Sequence, residues 1–174
     1  MNDKIEYFGK IIFDPVDKTK KHKSQSNWKR VAFVEFDGDI CEYYAWFIQK
    51  RYNLILNKPI RKAHISFIND SITDLSQSGS TSINDVDKRW NLAKAKWNGK
   101  EISCMLDISP KTDDYYWWLT VPNEDRDLLH GIRAELGLGR PYWGLHMSIG
   151  YANPKHEEHS KYIHNLIKKG LITT

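Results

Sequence analysis

Two short segments of the chain carry one pattern. Ala63-His64-Ile65-Ser66-Phe67 is echoed by Leu145-His146-Met147-Ser148-Ile149, 82 residues further on. In both, an apolar residue alternates with a His or a Ser. Side chains of a strand point alternately to the two faces of its sheet, so each segment puts its apolar residues on one face and its His and Ser on the other. The apolar face can anchor each strand against a helix while a His and a hydroxyl are presented together on the opposite face, and two such strands side by side would build a cleft.

The pattern is more than composition would produce. With seven histidines in 174 residues, about 0.8 occurrences of His-x-Ser/Thr arise by chance, and apolar residues on both sides of the hydroxyl position cut this to about 0.1. His22-Lys23-Ser24-Gln25 is the expected decoy: it meets the loose pattern only and falls in a basic stretch.

The remaining elements follow from periodicity. Tyr7 to Phe13 and Lys29 to Phe36 are rich in β-branched and aromatic residues and read as strands. Asp37-Gly38-Asp39 supplies a turn and an N-cap, after which Ile40, Tyr43, Tyr44, Phe47 and Ile48 recur at helical spacing as far as Tyr52. A strand is predicted from Arg61 to Ile68, a polar connection over 71–82, and a helix from Ile83 to about Lys96. Asn98-Gly99 then precedes what reads as a hairpin-like pair, Glu101 to Ile108 and Tyr115 to Val121. A helix bearing Leu128, Leu129, Ile132 and Leu136 stops at Gly137 and Gly139, a strand runs from Tyr142 to Tyr151, and a last helix carries Tyr162, Ile163, Leu166 and Ile167. The order β, β, α, β, α, β, β, α, β, α predicts an α+β domain with helices packed on sheets.

A net charge of +4 favours anionic ligands but falls short of a nucleic-acid-coating protein. Its distribution is uneven, with Lys18, Lys20, Lys21, Lys23, Lys29 and Arg30 in one stretch that reads as a solvated loop or a phosphate-attracting lid. No run approaches the roughly 18 apolar residues of a membrane span, and Met1 to Lys10 is charged and mixed. The expectation is a cytoplasmic protein with no membrane partner. Cys41 and Cys104 lack a CxxC partner or metal-ligand spacing and are expected to be buried free thiols.

Two imidazoles facing one ligand suit cleavage of a phosphodiester. A neutral His takes a proton from the attacking hydroxyl or water, and a protonated His gives one to the leaving oxygen. The hydroxyls of Ser66 and Ser148 can donate to the non-bridging phosphate oxygens, where negative charge is held as the transition state forms. The competing role for His64 and His146 is that of hydrogen-bonded histidines beside a core.

With its paired tetrads His64-Ile65-Ser66-Phe67 and His146-Met147-Ser148-Ile149, the chain resembles the two-histidine (2H) phosphoesterase superfamily. The element order agrees from Arg30 onward, while the specific match is confined to the two tetrads. Many members of the family carry Thr at the hydroxyl positions. The resemblance implies one bilobal domain over residues 1–174, with two β-sheets and flanking helices around a central cleft. It also implies His64, Ser66, His146 and Ser148 as catalytic residues and no metal or other cofactor. The implied substrate is a cyclic nucleotide or a 2′,3′-cyclic phosphate. In size and aromatic content the chain also looks like the viral anti-CBASS phosphodiesterases, which degrade cyclic oligonucleotide immune signals; that likeness would place it in a host cytoplasm. The alternatives are a 2′,3′-cyclic phosphodiesterase acting on RNA ends and a non-catalytic nucleotide- or RNA-binding module.

Substrate-binding candidates come from position. Tyr7, Trp90, Trp97, Tyr142 and Trp143 lie near loops or element ends, while Trp46 falls in a helix and Trp117-Trp118 in a strand. Each offers a face on which a base can stack, with core packing as the competing role, and Tyr7, Trp90 and Tyr142 are the candidates taken forward. Arg61 and Arg140 lie just ahead of the two motif strands and can pair with phosphate, with a solvated surface position as the competing role. His156-Glu157-Glu158-His159 invites a metal reading, but no third ligand accompanies it and a solvated helix start explains it.

Overall fold

The computed structural model describes residues 4–15, 30–59, 61–68, 83–113, 115–123, 126–141, 143–152 and 157–172. It is a mixed α+β structure. Seven strands, β1 (Lys4–Phe13), β2 (Ala32–Phe36), β3 (His64–Ile68), β4 (Glu101–Asp107), β5 (Lys111–Thr112), β6 (Tyr116–Thr120) and β7 (His146–Tyr151), form one antiparallel sheet in the order β4-β1-β2-β3-β7-β6-β5. Among the described residues four helices accompany it: α1 (Ile40–Tyr52), α2 (Ile83–Trp97), α3 (Arg126–Glu135) and α4 (Glu157–Lys168). The sheet curls, since β4 near one end touches β6 near the other.

The helices form where apolar residues line one stripe. Ile40, Tyr44, Ile48 and Tyr52 are the buried residues of α1, four apart throughout. That helix stops at Asn53, whose left-handed backbone (φ 54) lets its N–H return to the Gln49 carbonyl. In α3 the buried stripe is Leu129, Ile132 and Arg133. All four helices contribute to one continuous core on one face of the sheet, where Ile65, Phe67, Met147 and Ile149 are at most 1% exposed. Each such side chain contributes about 1.5–3 kcal/mol through burial.

The chain order repeats as strand, strand, helix, strand, helix: β1-β2-α1-β3-α2, and then, after β4, β5-β6-α3-β7-α4. The two histidine strands meet at the pair Ile65 and Met147, which joins the halves into one sheet. Helices cross this joint. α1 of the first half packs on β7, and α3 of the second half packs on β3. Side-chain bonds follow the same crossing: Cys41 Sγ of α1 donates to the Ser148 carbonyl at 3.2 Å, and Arg133 of α3 donates to the Phe67 carbonyl at 2.6 Å. Each histidine strand is thus braced from behind by the helix of the other half.

Three expectations are corrected. The strands lie in one sheet rather than two, because Ile65 and Met147 close the seam between the halves. Residues 101–108 and 115–121 are not partners in a hairpin: β4 makes a seven-residue ladder with β1, while β6 lies between β7 and the short strand β5. The strands expected from Arg61 and from Tyr142 begin at His64 and His146, each preceded by irregular chain that sets the entry angle of the His. The basic stretch 18–29 and the connection 71–82 lie outside the described residues.

Candidate active site

The register of β3 and β7 brings the two tetrads together. Antiparallel pairing centred on Ile65 and Met147 sets His64 opposite Ser148 and Ser66 opposite His146, all four on the face turned away from the core. All four are half-buried. His64 and His146 are diagonal neighbours in this ladder, a relation that puts residues about 7–8 Å apart.

Both rings are held in the same way. His64 Nδ1 bonds the Lys62 carbonyl at 2.7 Å, and His146 Nδ1 bonds the Gly144 carbonyl at 2.6 Å, in each case two residues back along the chain. A carbonyl oxygen only accepts, so Nδ1 carries the proton in both rings and Nε2 is the atom at which a proton is gained or lost. The two imidazoles thus have the same kind of partner at the same offset along the chain.

The flanking strands match as well. On β2, Phe33 lies opposite Ser66 and Glu35 opposite His64; on β6, Trp118 lies opposite Ser148 and Thr120 opposite His146. An aromatic ring thus accompanies each serine. The Phe33 ring centroid is 5.2 Å from that of His64, and Tyr116 and Trp118 each stand 6.2 Å from His146, edge-on. Tyr116 Oη hydrogen-bonds Ser148 Oγ. Burial is the main cause that raises the Tyr116 pKa above the ordinary tyrosine value, so the group remains a phenol through neutral pH. Thr120 Oγ1, across from His146, is buried and has no hydrogen-bond partner among the described residues.

The other candidates divide. Arg61 joins the site: its guanidinium lies 5.5 Å from the Phe33 ring, which itself touches His64. Arg140 lines a cavity that also contains Gly144, the residue whose carbonyl holds His146. Tyr7 is on the wrong face for stacking, because it packs against the core side of the sheet, edge-on to Phe36 at 6.1 Å. Trp90 is fully buried, wedged against Phe13 at 4.9 Å with its N–H donated to Asp14, and offers no face to a ligand. Tyr142, His156 and the side chain of His159 lie outside the described residues.

Sequence does not single out Glu35, Phe33, Tyr116 or Thr120, and it offers Trp118 only as one aromatic among several. The alternation in Tyr116-Trp117-Trp118-Leu119-Thr120 does mark Trp117 and Leu119 for one face and Tyr116, Trp118 and Thr120 for the other. What it omits is that β6 is the neighbour of β7. Among the described residues no three His, Cys, Asp or Glu side chains cluster as a metal-ion ligand set, and no helix is long and apolar enough to cross a membrane. Comparison with protein-family models, curated proteins and solved structures gives no match to this chain.

Proposed function

We propose that the protein is a phosphodiesterase of the two-histidine type, which opens a cyclic nucleotide or a 2′,3′-cyclic phosphate by general acid and base catalysis. The observation that carries this reading is the matched pair of Nδ1–carbonyl bonds, which turns two histidines on adjacent strands into two Nε2 groups of defined tautomer. One neutral Nε2 takes the proton of the attacking hydroxyl or water, and one protonated Nε2–H delivers a proton to the leaving oxygen. Each positioned group contributes about a hundred- to ten-thousand-fold.

Ser66 and Ser148 hold the non-bridging oxygens. Tyr116 Oη is within hydrogen-bond reach of Ser148 Oγ, and where the phenol donates, the serine hydrogen is left to the phosphate. Trp118 and Tyr116 beside His146 provide stacking surfaces for a base, worth about 1–3 kcal/mol each, and Arg61 beside His64 provides charge. If the substrate is a cyclic oligonucleotide with 3′–5′ links, the neighbouring ribose 2′-OH is the nucleophile. The first product is then a 2′,3′-cyclic phosphate, which water opens in a second step.

The test is chromatography of cyclic di- and trinucleotides, 2′,3′-cyclic mononucleotides and a short RNA with a cyclic phosphate end, each incubated with the protein in EDTA. Cleavage that persists in EDTA and is lost in both His64→Ala and His146→Ala is expected. Recovery of every ligand intact from the wild type refutes the reading in favour of a binding module. Preference for the RNA end over the cyclic oligonucleotides assigns the enzyme to RNA processing.

A further inference from the structure

The repeat that sets the two histidines also produces two cavities, and their charges differ. Each lies between the start of the helix that precedes a histidine strand and the chain leading into that strand. One, of about 540 Å³, adjoins Ala63 and is lined by Asp37, Asp39 and Glu42 as well as Lys58, Arg61 and Lys62, with Lys58 paired to Glu42. The other, of about 520 Å³, adjoins Gly144 and is lined by Arg126, His130, Arg140, Asn123 and Trp143, with Asp127 the one carboxylate among the described residues that line it. The first mixes acids and bases. The second is cationic, and Arg133 stands behind it with its guanidinium 5.9 Å from the Trp143 ring.

Two further features of the cationic cavity point to an anionic ligand. His130 Nδ1 is buried with no hydrogen-bond partner among the described residues. Its ring is held below the ordinary histidine pKa, first by burial and then by Arg140, Arg133 and Arg126, with Asp127 opposing. The histidine therefore adds no charge of its own at neutral pH, while the arginines do. Arg126 is fixed by its Nε bond to the Val121 carbonyl at 2.6 Å, which anchors its guanidinium at the end of β6. A planar, anchored guanidinium and a second, exposed one across the cavity suit a phosphate, which accepts paired N–H donors.

We propose that this cavity is a second phosphate-binding subsite. It takes the phosphate adjoining the one cleaved, so the preferred substrate carries at least two phosphates. The proposal rests on the phosphodiesterase reading above and adds to it a direction: the neighbouring phosphate lies on the His146 side of the cleft.

Two measurements test it and keep its failure separate from failure of that reading. The first is the NMR pH titration of the His130 imidazole, with inorganic phosphate as the probe and sodium chloride at matched ionic strength as the reference. Phosphate in the cavity offsets the arginines, so the midpoint rises with phosphate, and in Arg140→Ala the rise is lost. An unchanged midpoint overturns the subsite whatever the enzyme cleaves. The second is kinetic and compares a 2′,3′-cyclic mononucleotide, the same nucleotide with a 5′-phosphate, and a cyclic dinucleotide. The wild type favours the two-phosphate substrates, and Arg126→Ala and Arg140→Ala each reduce the ratio of kcat/KM for two phosphates over one by about tenfold or more. Preference for the 5′-phosphorylated mononucleotide marks a linear substrate, and preference for the dinucleotide a cyclic one. A ratio that does not change in Arg140→Ala overturns the subsite. No turnover of any of the three by the wild type, with His130 still responding to phosphate, refutes the phosphodiesterase reading.

Discussion

Replacement of Gly150 by alanine weakens the fold, the same replacement at Gly131 strengthens it, and the geometry gives a size to both effects. A Cβ at position 150 would stand 2.7 Å from the Asn57 carbonyl oxygen and 3.0 Å from Leu56 Cβ. Asn57 cannot move aside freely, because it exchanges two backbone hydrogen bonds with Tyr151, at 2.8 and 3.1 Å. Each of those bonds is worth about 0.5–1.5 kcal/mol net, and forcing a methyl into a packed site costs about 1–3 kcal/mol, so the expected loss is about 2–4 kcal/mol. Gly131 is exposed inside α3, and a Cβ there meets nothing within 4 Å. Alanine at that position gains about 0.5–1 kcal/mol, since glycine loses more backbone freedom in a helix. The assay is urea unfolding followed by the fluorescence of the seven tryptophans. With a urea slope of about 2 kcal/mol per molar, Gly150→Ala lowers the midpoint by about 1–2 M and Gly131→Ala raises it by about 0.3–0.5 M. Shifts of the same sign at the two positions, or a Gly150→Ala midpoint within about 0.2 M of the wild type, refute the close approach of residues 56–57 to β7.

Three other perturbations probe the site and its support. Tyr116→Phe removes the partner of Ser148 Oγ and lowers kcat by about 5- to 30-fold, while Tyr116→Phe/Ser148→Ala is no slower than Ser148→Ala alone; additive losses in steady-state kinetics mean that the hydroxyls act independently. Arg133→Met leaves the Gly139 and Phe67 carbonyls without a donor that now reaches them at 2.7 and 2.6 Å, and destabilises by about 2–4 kcal/mol in the same urea assay; a change under about 0.5 kcal/mol contradicts the bracing of β3 by α3. Burial first, and Glu42 second, push the Cys41 thiol up to about 11. A raised thiol pKa favours the folded state below the ordinary cysteine value, and that contribution is lost as pH climbs toward about 11. Cys41 therefore resists iodoacetamide at pH 8 and becomes reactive in strong alkali, which mass spectrometry of the alkylated protein checks.

Much of the local structure could be read from the chain because it depends on side-chain period. The alternation in Ala63 to Phe67 and in Leu145 to Ile149 places His and Ser together on one face, and the structure buries Ile65, Phe67, Met147 and Ile149 on the other. The four-residue stripe of Ile40, Tyr44, Ile48 and Tyr52 likewise marks α1. Pairing between distant strands leaves no such trace. Nothing in Glu101 to Asp107 says that it pairs with β1 rather than with the next strand in sequence, and nothing in Tyr116 to Thr120 says that it lies beside β7. Tyr7 and Trp90 fail as stacking residues for a related reason. Nearness to an element's end does not reveal which face of a sheet a ring occupies, and Trp90 repeats with Val86 and Ala93 on the buried side of α2. The Nδ1–carbonyl bonds of both histidines depend on the backbone path just before each strand, at Lys62 and Gly144, which residue identity does not encode.

The proposed division of labour between the two histidines is tested by changing the leaving group. The p-nitrophenolate released from a p-nitrophenyl phosphodiester departs as a stable anion and needs no proton, so loss of the general acid matters little for this ester, whereas loss of the general base still matters. Cleavage of this ester and of an unactivated cyclic nucleotide should be timed for the wild type, His64→Ala and His146→Ala. Both variants are expected to be about a hundredfold or more slower on the cyclic nucleotide, and one of them alone should recover on the p-nitrophenyl ester. Equal impairment of both variants on both substrates, or full activity in either variant on the cyclic nucleotide, contradicts a matched acid and base.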